Sequence, residues 1–180
     1  MSTLPPPAIP NLFDLFVLRC RQQPEDLAYA SVRDNLEIER RFTYGQLEQR
    51  VNSLARRLSR EVPAGAKALL LYPQGLDAAC AFWACACAGL VPVPAPAPDP
   101  IKGKSGLIRL RGIIEDARVS LVLTTSSVTS LSSELSVKQA GPINWMATDE
   151  LGDSFDSAEL PRPHSSALAY LQYTSGSTAT

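Results

Sequence analysis

The sequence is poor in the residue types that bind metal ions or cross-link a chain. It contains one histidine, His164, and four cysteines in 180 residues. Three of the cysteines, Cys80, Cys85 and Cys87, lie at helical spacing in one apolar segment, which is typical of buried reduced thiols and not of a disulfide framework. Because this histidine and this cysteine spacing do not supply a ligand set, we predict no zinc site and assign no metal ligand.

The sequence also lacks a charge excess, a membrane-spanning run and a secretion signal. Lys+Arg number 17 and Asp+Glu 18, which gives a formal net charge of -1, whereas nucleic-acid-binding proteins are usually clearly basic. No segment reaches the ~18 consecutive apolar residues of a membrane span. The proline-rich start of the chain has neither a basic nor an apolar signal region. We therefore expect a cytoplasmic protein with no nucleic-acid partner and no membrane span.

The order of apolar segments predicts an α/β fold. Ala68–Tyr72 and Val119–Thr124 are continuous apolar runs, as in parallel strands that are covered on both faces. Ile143–Ala147 predicts another strand, and helical patterns alternate with these runs. We predict a doubly wound, mostly parallel sheet with flanking helices. Residues 27–33 and 37–42 alternate as two strands of an N-terminal β-hairpin.

Several helices have recognisable starts or faces. Asn11 is a suitable N-cap for a helix that ends near Gln23, and Thr43-Tyr-Gly-Gln46 has the pattern of a capping box. The segment from Leu76 to Leu90 is apolar nearly all round, which predicts a buried helix. Further helices are predicted over 105–117 and, from a weaker pattern rich in Ser and Thr, over 126–139. We divide the chain into an arm with the first helix, residues 1–26, and an α/β subdomain, residues 27–180.

Two predicted strands are followed by segments of unusual composition, one rich in proline and one rich in hydroxyl side chains. Val91–Val93 predicts a short strand that breaks into a stiff, polyproline-like loop, because the prolines that follow lack the N–H of a regular ladder. Leu168–Tyr173 predicts a buried strand, and Thr174-Ser-Gly-Ser-Thr178 follows it. Hydroxyls and backbone N–H groups around Gly176 can bind an anion, although no lysine follows as in a Walker loop. Composition alone also allows a frayed polar tail.

The end of the chain resembles a known phosphate loop. Tyr173-Thr-Ser-Gly-Ser-Thr178 is similar to that of the adenylate-forming superfamily, which comprises acyl-CoA synthetases, luciferases and peptide-synthetase adenylation domains. Tyr72-Pro-Gln-Gly-Leu-Asp77, the segment from Ala88 to Pro94 and the pattern from Leu110 to Asp116 resemble its fatty acyl-AMP ligase branch. Ala179 stands where most of the superfamily has glycine. The loss of that glycine is also typical of the fatty acyl-AMP ligase branch. The resemblance extends from about Leu27 onward.

This resemblance implies a reaction and a set of binding residues. A fatty acid attacks the α-phosphate of ATP, Mg²⁺ bridges the phosphates, and an acyl-adenylate and pyrophosphate form. The acyl group then passes to the phosphopantetheine thiol of an acyl carrier protein. The residues that the resemblance assigns to the β- and γ-phosphates are Thr174, Ser175, Gly176, Ser177 and Thr178. Their role is positioning and electrostatic stabilisation, so no catalytic side chain is assigned.

The resemblance also predicts what this chain is a part of. Because it ends within the loop, we expect an N-terminal fragment of an adenylation domain that lacks its C-terminal part and is inactive alone. Its parent could stand alone or begin a polyketide or peptide synthetase. An apolar face left exposed could pair two copies in a crystal. The alternatives are a long-chain fatty acyl-CoA synthetase and a non-catalytic nucleotide-binding or scaffold module.

Overall fold

The structure is a computed structural model that describes residues 11–97, 104–132, 135, 143–151, 160 and 163–174. Four α-helices, one 3-10 helix and six strands lie within these ranges. In chain order the elements are α1 (Leu12–Gln22), β1 (Leu27–Val32), β2 (Ile38–Thr43), α2 (Tyr44–Glu61), β3 (Lys67–Tyr72), α3 (Leu76–Cys87), β4 (Val91–Pro96), α4 (Lys104–Ala117), β5 (Val119–Thr124), a 3-10 helix (Ser126–Ser132) and β6 (Asn144–Ala147).

The main sheet is parallel and doubly wound, as predicted. Its strand order is β4-β3-β5-β6, and all three pairs of neighbours are parallel. Alternate residues of β3 face opposite layers: Leu70 packs in a core with α1, α2 and α3, whereas Leu69 and Leu71 pack in a core with α4. Strands β1 and β2 form the separate antiparallel hairpin that the sequence predicted. The fold class is therefore confirmed.

The helix starts read from the sequence are confirmed by their hydrogen bonds. The Oδ1 atom of Asn11 accepts a bond from the Asp14 N–H at 2.8 Å at the start of α1. At the start of α2, Thr43 Oγ1 accepts from the Gln46 N–H at 3.3 Å, and Gln46 Oε1 accepts from the Thr43 N–H at 3.0 Å. This capping box satisfies N–H groups that the first turn of a helix leaves without an intrahelical partner.

We expect Thr43→Ala to lower the free energy of unfolding by about 1 kcal/mol, because alanine offers no acceptor to the Gln46 N–H. Thr43→Ser keeps a hydroxyl at the same place and serves as the matched control. Urea denaturation followed by circular dichroism measures both variants. Equal losses in the two variants would show that the cap does not contribute to stability.

The proline-rich strand is longer than predicted. β4 pairs with β3 through all six residues, from Val91 opposite Lys67 to Pro96 opposite Tyr72, so the expected break after Val93 is wrong. The Val91 N–H donates to the Ala66 carbonyl on the β3 side at 2.9 Å. Because N–H directions alternate along a strand, the prolines have their ring nitrogens on the opposite edge, where no ladder donor towards β3 is lost.

The weak helix predicted over 126–139 is a 3-10 helix in its described part, Ser126–Ser132. The Thr129 hydroxyl donates to the Ser126 carbonyl at 2.6 Å. Such a local bond competes with the α-helical pattern and favours a tighter turn. Apart from Leu135, the rest of that prediction lies outside the described residues.

All four cysteines are free and buried, which confirms the prediction of buried thiols. Burial is the main cause that raises the pKa of Cys80 to about 11, and it raises the pKa of Cys87 to about 12. Within the described ranges, no helix has the length and apolar character needed to cross a bilayer. Apolar side chains that are exposed include Val32, Leu36 and Ile38 near the tip of the hairpin; the pairing of two copies through such a face stays a prediction.

Candidate functional site

The candidate site lies where the parallel strands end. After β3 the chain crosses to β4 on one side, and after β4 it returns to β5 on the other side of β3. In open α/β sheets, ligands bind beyond the carboxyl ends of the strands near such a reversal of strand order. The relevant groups therefore follow Tyr72, Pro96 and Thr124.

The predicted buried strand at 168–173 is wrong. Residues 168–174 adopt no regular secondary structure, and Leu168 and Tyr170 are 53% and 44% exposed. The segment lies on the outer edge of β4, where the Leu171 N–H donates to the Pro92 carbonyl at 3.0 Å. The prolines on that edge have carbonyls but no N–H, so they accept bonds and return none. A regular ladder needs both, which explains the loss of the strand.

The segment nevertheless keeps the direction and side-chain alternation of a strand. The Tyr170 ring contacts Phe82 of α3, with 5.9 Å between the ring centroids. Leu171 and Tyr173 instead pack against the core beneath α4. The Tyr173 hydroxyl donates to a carboxylate oxygen of Asp116 in α4. We conclude that an extended segment leads the chain to Thr174 along the edge of the sheet.

A cleft of about 440 Å³ opens beside this segment. Strands β3 and β4, helix α3 and residues 172 and 173 form its walls. Most of the lining is apolar, and Tyr72 and Gln172 are among the lining residues that carry a polar group. Lining side chains include Leu70, Tyr72, Ala79, Phe82, Pro96 and Gln172. The predicted phosphate loop therefore begins next to an open cleft.

A network of hydroxyls joins the ends of three strands at this edge. The Tyr72 hydroxyl shares a 2.9 Å hydrogen bond with Thr148 Oγ1. The Thr148 N–H donates to the Thr124 carbonyl at 2.9 Å, and the buried Thr124 hydroxyl donates to the Leu71 carbonyl at 2.6 Å. Burial raises the pKa of Tyr72 far above its usual range, so this phenol is neutral at physiological pH. Tyr72 connects this network to the cleft, which it also lines.

A carboxylate links the loops that follow β5 and β6. Asp149 accepts bonds from the Ser126 N–H at 2.8 Å and from the Ser126 hydroxyl at 2.7 Å. The bond from the hydroxyl is the main cause that lowers the pKa of Asp149. Sequence analysis identified neither this pair nor the Tyr72–Thr148 pair. The signal in the sequence is that a hydroxyl residue directly follows two of the predicted strands, Thr125 after Val119–Thr124 and Thr148 after Ile143–Ala147.

The structure describes one of the five predicted phosphate-binding residues. Thr174 is exposed and follows Tyr173 directly. Ser175, Gly176, Ser177 and Thr178 lie outside the described residues. His164 is exposed, and its Nδ1 atom lies 2.8 Å from the Ser166 hydroxyl, in agreement with the predicted surface position.

The described lining of the cleft does not offer the ligands of a metal ion. Thr174 is exposed and directly follows Tyr173, which lines the cleft. No carboxylate belongs to the described lining of the cleft, and carboxylates are usual protein ligands of Mg²⁺. We therefore assign no residue of the described ranges to the metal.

The chain matches known proteins over nearly all of its length. The profile of the AMP-binding enzyme family matches residues 16–180. The medium-chain fatty acid–acyl-carrier-protein ligase JamA of Moorena producens (strain JHB) is 37% identical, over 97% of this chain and 30% of that protein. A crystal structure of a fatty acid AMP ligase from Legionella pneumophila has a TM-score of 0.79 at 26% identity, and covers 94% of this chain and 29% of that one.

A second similar solved structure contains bound ligands. It is a fatty acyl-adenylate ligase from L. pneumophila in complex with acyl adenylate and pyrophosphate, with a TM-score of 0.72 at 26% identity over 94% of this chain and 29% of that one. The chain thus spans about 30% of the length of the curated relatives it matches. These matches confirm the resemblance to the fatty acyl-AMP ligase branch. The chain belongs to the family of AMP-binding enzymes.

Proposed function

We propose that this chain is part of a ligase that activates a fatty acid with ATP to an acyl-adenylate. The observation that carries the proposal is the segment 168–174, which brings Gln172 and Tyr173, the residues just before the predicted loop, to the cleft at the carboxyl edge of the sheet. The named relatives support it, since one is a fatty acid–acyl-carrier-protein ligase and another binds acyl adenylate and pyrophosphate.

In this proposal the loop from Thr174 to Thr178 binds the β- and γ-phosphates of ATP. Its backbone N–H groups and hydroxyls orient the triphosphate and stabilise negative charge as pyrophosphate leaves. Gly176 allows the backbone to approach the phosphates closely. Mg²⁺, when bound with ATP, offsets the charge of the phosphates. The reaction needs no general base from this chain, because the carboxylate of the fatty acid is itself the nucleophile.

We further propose that the acyl group passes to the phosphopantetheine thiol of an acyl carrier protein in the cytoplasm. JamA, which is named for a carrier-protein substrate, supports the choice of acceptor. Four buried, free cysteines agree with a reducing compartment. The alternative is an acyl-CoA synthetase, in which coenzyme A supplies the accepting thiol.

The acceptor is identified by offering both thiols to the complete product of the gene. It is incubated with ATP, Mg²⁺ and a series of fatty acids, together with either an acyl carrier protein that bears phosphopantetheine or coenzyme A. Mass spectrometry of the two thioesters measures transfer. We expect acyl carrier protein to be loaded at least about tenfold faster, since contacts to the carrier protein add to those with the thiol arm. Faster formation of acyl-CoA would favour the alternative.

A further inference from the structure

Asp116 lies outside the cleft but contacts the residue that directly precedes the phosphate loop. Its carboxylate accepts the hydrogen bond of the Tyr173 hydroxyl, across 57 positions of the sequence. Thr174, the first residue of the predicted loop, follows Tyr173. The bond therefore ties the base of the loop to helix α4, although neither of the two bonded groups belongs to the set predicted to contact phosphates.

Helix α4 is a rigid support for such a bond. Ile113 and Ile114 are 1% and 0% exposed and pack in the core with β3 and β5. Ala117, the residue after Asp116, is also buried there. Because a helix held by buried side chains on both sides of Asp116 has little freedom to shift, the core fixes the position of the Asp116 backbone.

The segment before the loop is also held by the ring contact of Tyr170 with Phe82, by the packing of Leu171 on the core and by a backbone bond. Within residues 168–173, the hydrogen bond from the Leu171 N–H to the Pro92 carbonyl joins the backbone of this segment to the sheet. The prolines of β4 prevent the usual two-way ladder on that edge. A bond from a phenol to a carboxylate is charge-assisted and stronger than a neutral one. The Tyr173–Asp116 bond thus adds a side-chain anchor to α4 at the residue that directly precedes the loop.

The protonation state of Tyr173 agrees with this role. Burial, together with the bond to Asp116, raises the pKa of Tyr173 to about 12. The phenol therefore keeps its proton throughout the physiological pH range and remains the donor of the hydrogen bond to the carboxylate.

We propose that Asp116 is a positioning residue for ATP binding, which acts through Tyr173 to hold the start of the phosphate loop. This inference rests on the proposed function of the loop. Asp116 touches neither substrate nor reacting atoms in this account. It determines the position of Thr174, where the loop begins, and hence how well the loop fits a triphosphate.

The kinetic test uses fatty-acid-dependent ATP–pyrophosphate exchange by the complete gene product. We expect Asp116→Ala and Tyr173→Phe each to raise the KM for ATP about tenfold, the effect of losing one charge-assisted bond, and to leave the KM for the fatty acid unchanged. Combined, they should have no more effect than either alone, because both remove one bond. Asp116→Asn keeps an acceptor oxygen and should restore most of the affinity. Glu115→Gln, on the neighbouring exposed position of α4, is the matched control.

A second readout does not depend on activity. Hydrogen–deuterium exchange of peptides that cover residues 168–180 should be faster in Asp116→Ala and Tyr173→Phe than in the wild type or in Glu115→Gln. Unchanged exchange, additive effects on KM, or equal changes in both KM values would overturn the inference. If the wild type shows no fatty-acid-dependent exchange of pyrophosphate, the proposed function fails, and the deuterium data alone then decide whether Asp116 anchors the segment.

Discussion

Gly176→Val is expected to lower fatty-acid-dependent ATP–pyrophosphate exchange by about 100-fold in the complete gene product, the loss typical when one preorganised donor is removed from a reacting charge. Valine adds a branched Cβ where the proposed loop brings its backbone against the phosphates. It also disfavours a positive φ, which glycine adopts at little cost. The loop is then displaced from the triphosphate, and the rate of adenylate formation falls.

The control for this prediction is a glycine replacement away from the cleft. Gly112 lies in α4, and an added Cβ there meets no atom within 4 Å. Gly112→Ala should therefore keep the wild-type rate of exchange. If Gly176→Val exchanged pyrophosphate as fast as Gly112→Ala, the loop would not be needed for ATP binding.

Leu71→Ala is expected to lower the free energy of unfolding by about 2–5 kcal/mol, the cost of a large cavity in a packed core. Leu71 is 0% exposed and lies in β3, between its neighbours β4 and β5, with its side chain in the core beneath α4. Since a domain is stable by only about 5–15 kcal/mol, this change removes a substantial part of the total. Chemical denaturation measures the loss.

Leu36→Ala removes the same side-chain atoms from an exposed position and is the matched control. Leu36 is 82% exposed at the tip of the hairpin, so its replacement should change stability by less than about 0.5 kcal/mol. Similar losses for Leu71→Ala and Leu36→Ala would contradict the assignment of β3 to the centre of the sheet.

Features that depend on neighbours in the sequence were predictable. The capping box at Thr43 and Gln46 involves residues three apart, and both bonds form as expected. The apolar runs of β3 and β5 indicated strands covered on two faces, and the structure places Leu69 and Leu70 in opposite cores. The doubly wound sheet follows from this alternation of buried strands and helices.

Features that depend on a partner elsewhere in the chain were missed. The bond between Tyr72 and Thr148 spans 76 positions, and nothing local to either residue specifies it. The strand predicted at 168–173 fails for a similar reason. Its own composition favours a strand, but the edge it meets is that of β4, where Pro92 can accept a bond and cannot donate one. Local propensity alone does not include the hydrogen-bonding capacity of the neighbour.

The phosphate loop itself was identified by resemblance and not by physical reasoning from the residues. Five small polar residues around Gly176 are equally compatible with a solvated tail. The structure adds the location of Thr174, at the end of a segment that Asp116 and Pro92 hold against the sheet. That location beside a cleft is what favours the binding function over the tail.

A crystal structure of the complete gene product with a non-hydrolysable ATP analogue is the most direct test of phosphate binding by residues 174–178. We expect oxygens of the β- and γ-phosphates to lie about 3 Å from N–H or hydroxyl groups of these residues, at hydrogen-bonding distance. Phosphates bound elsewhere, with this loop out of contact with the nucleotide, would contradict it.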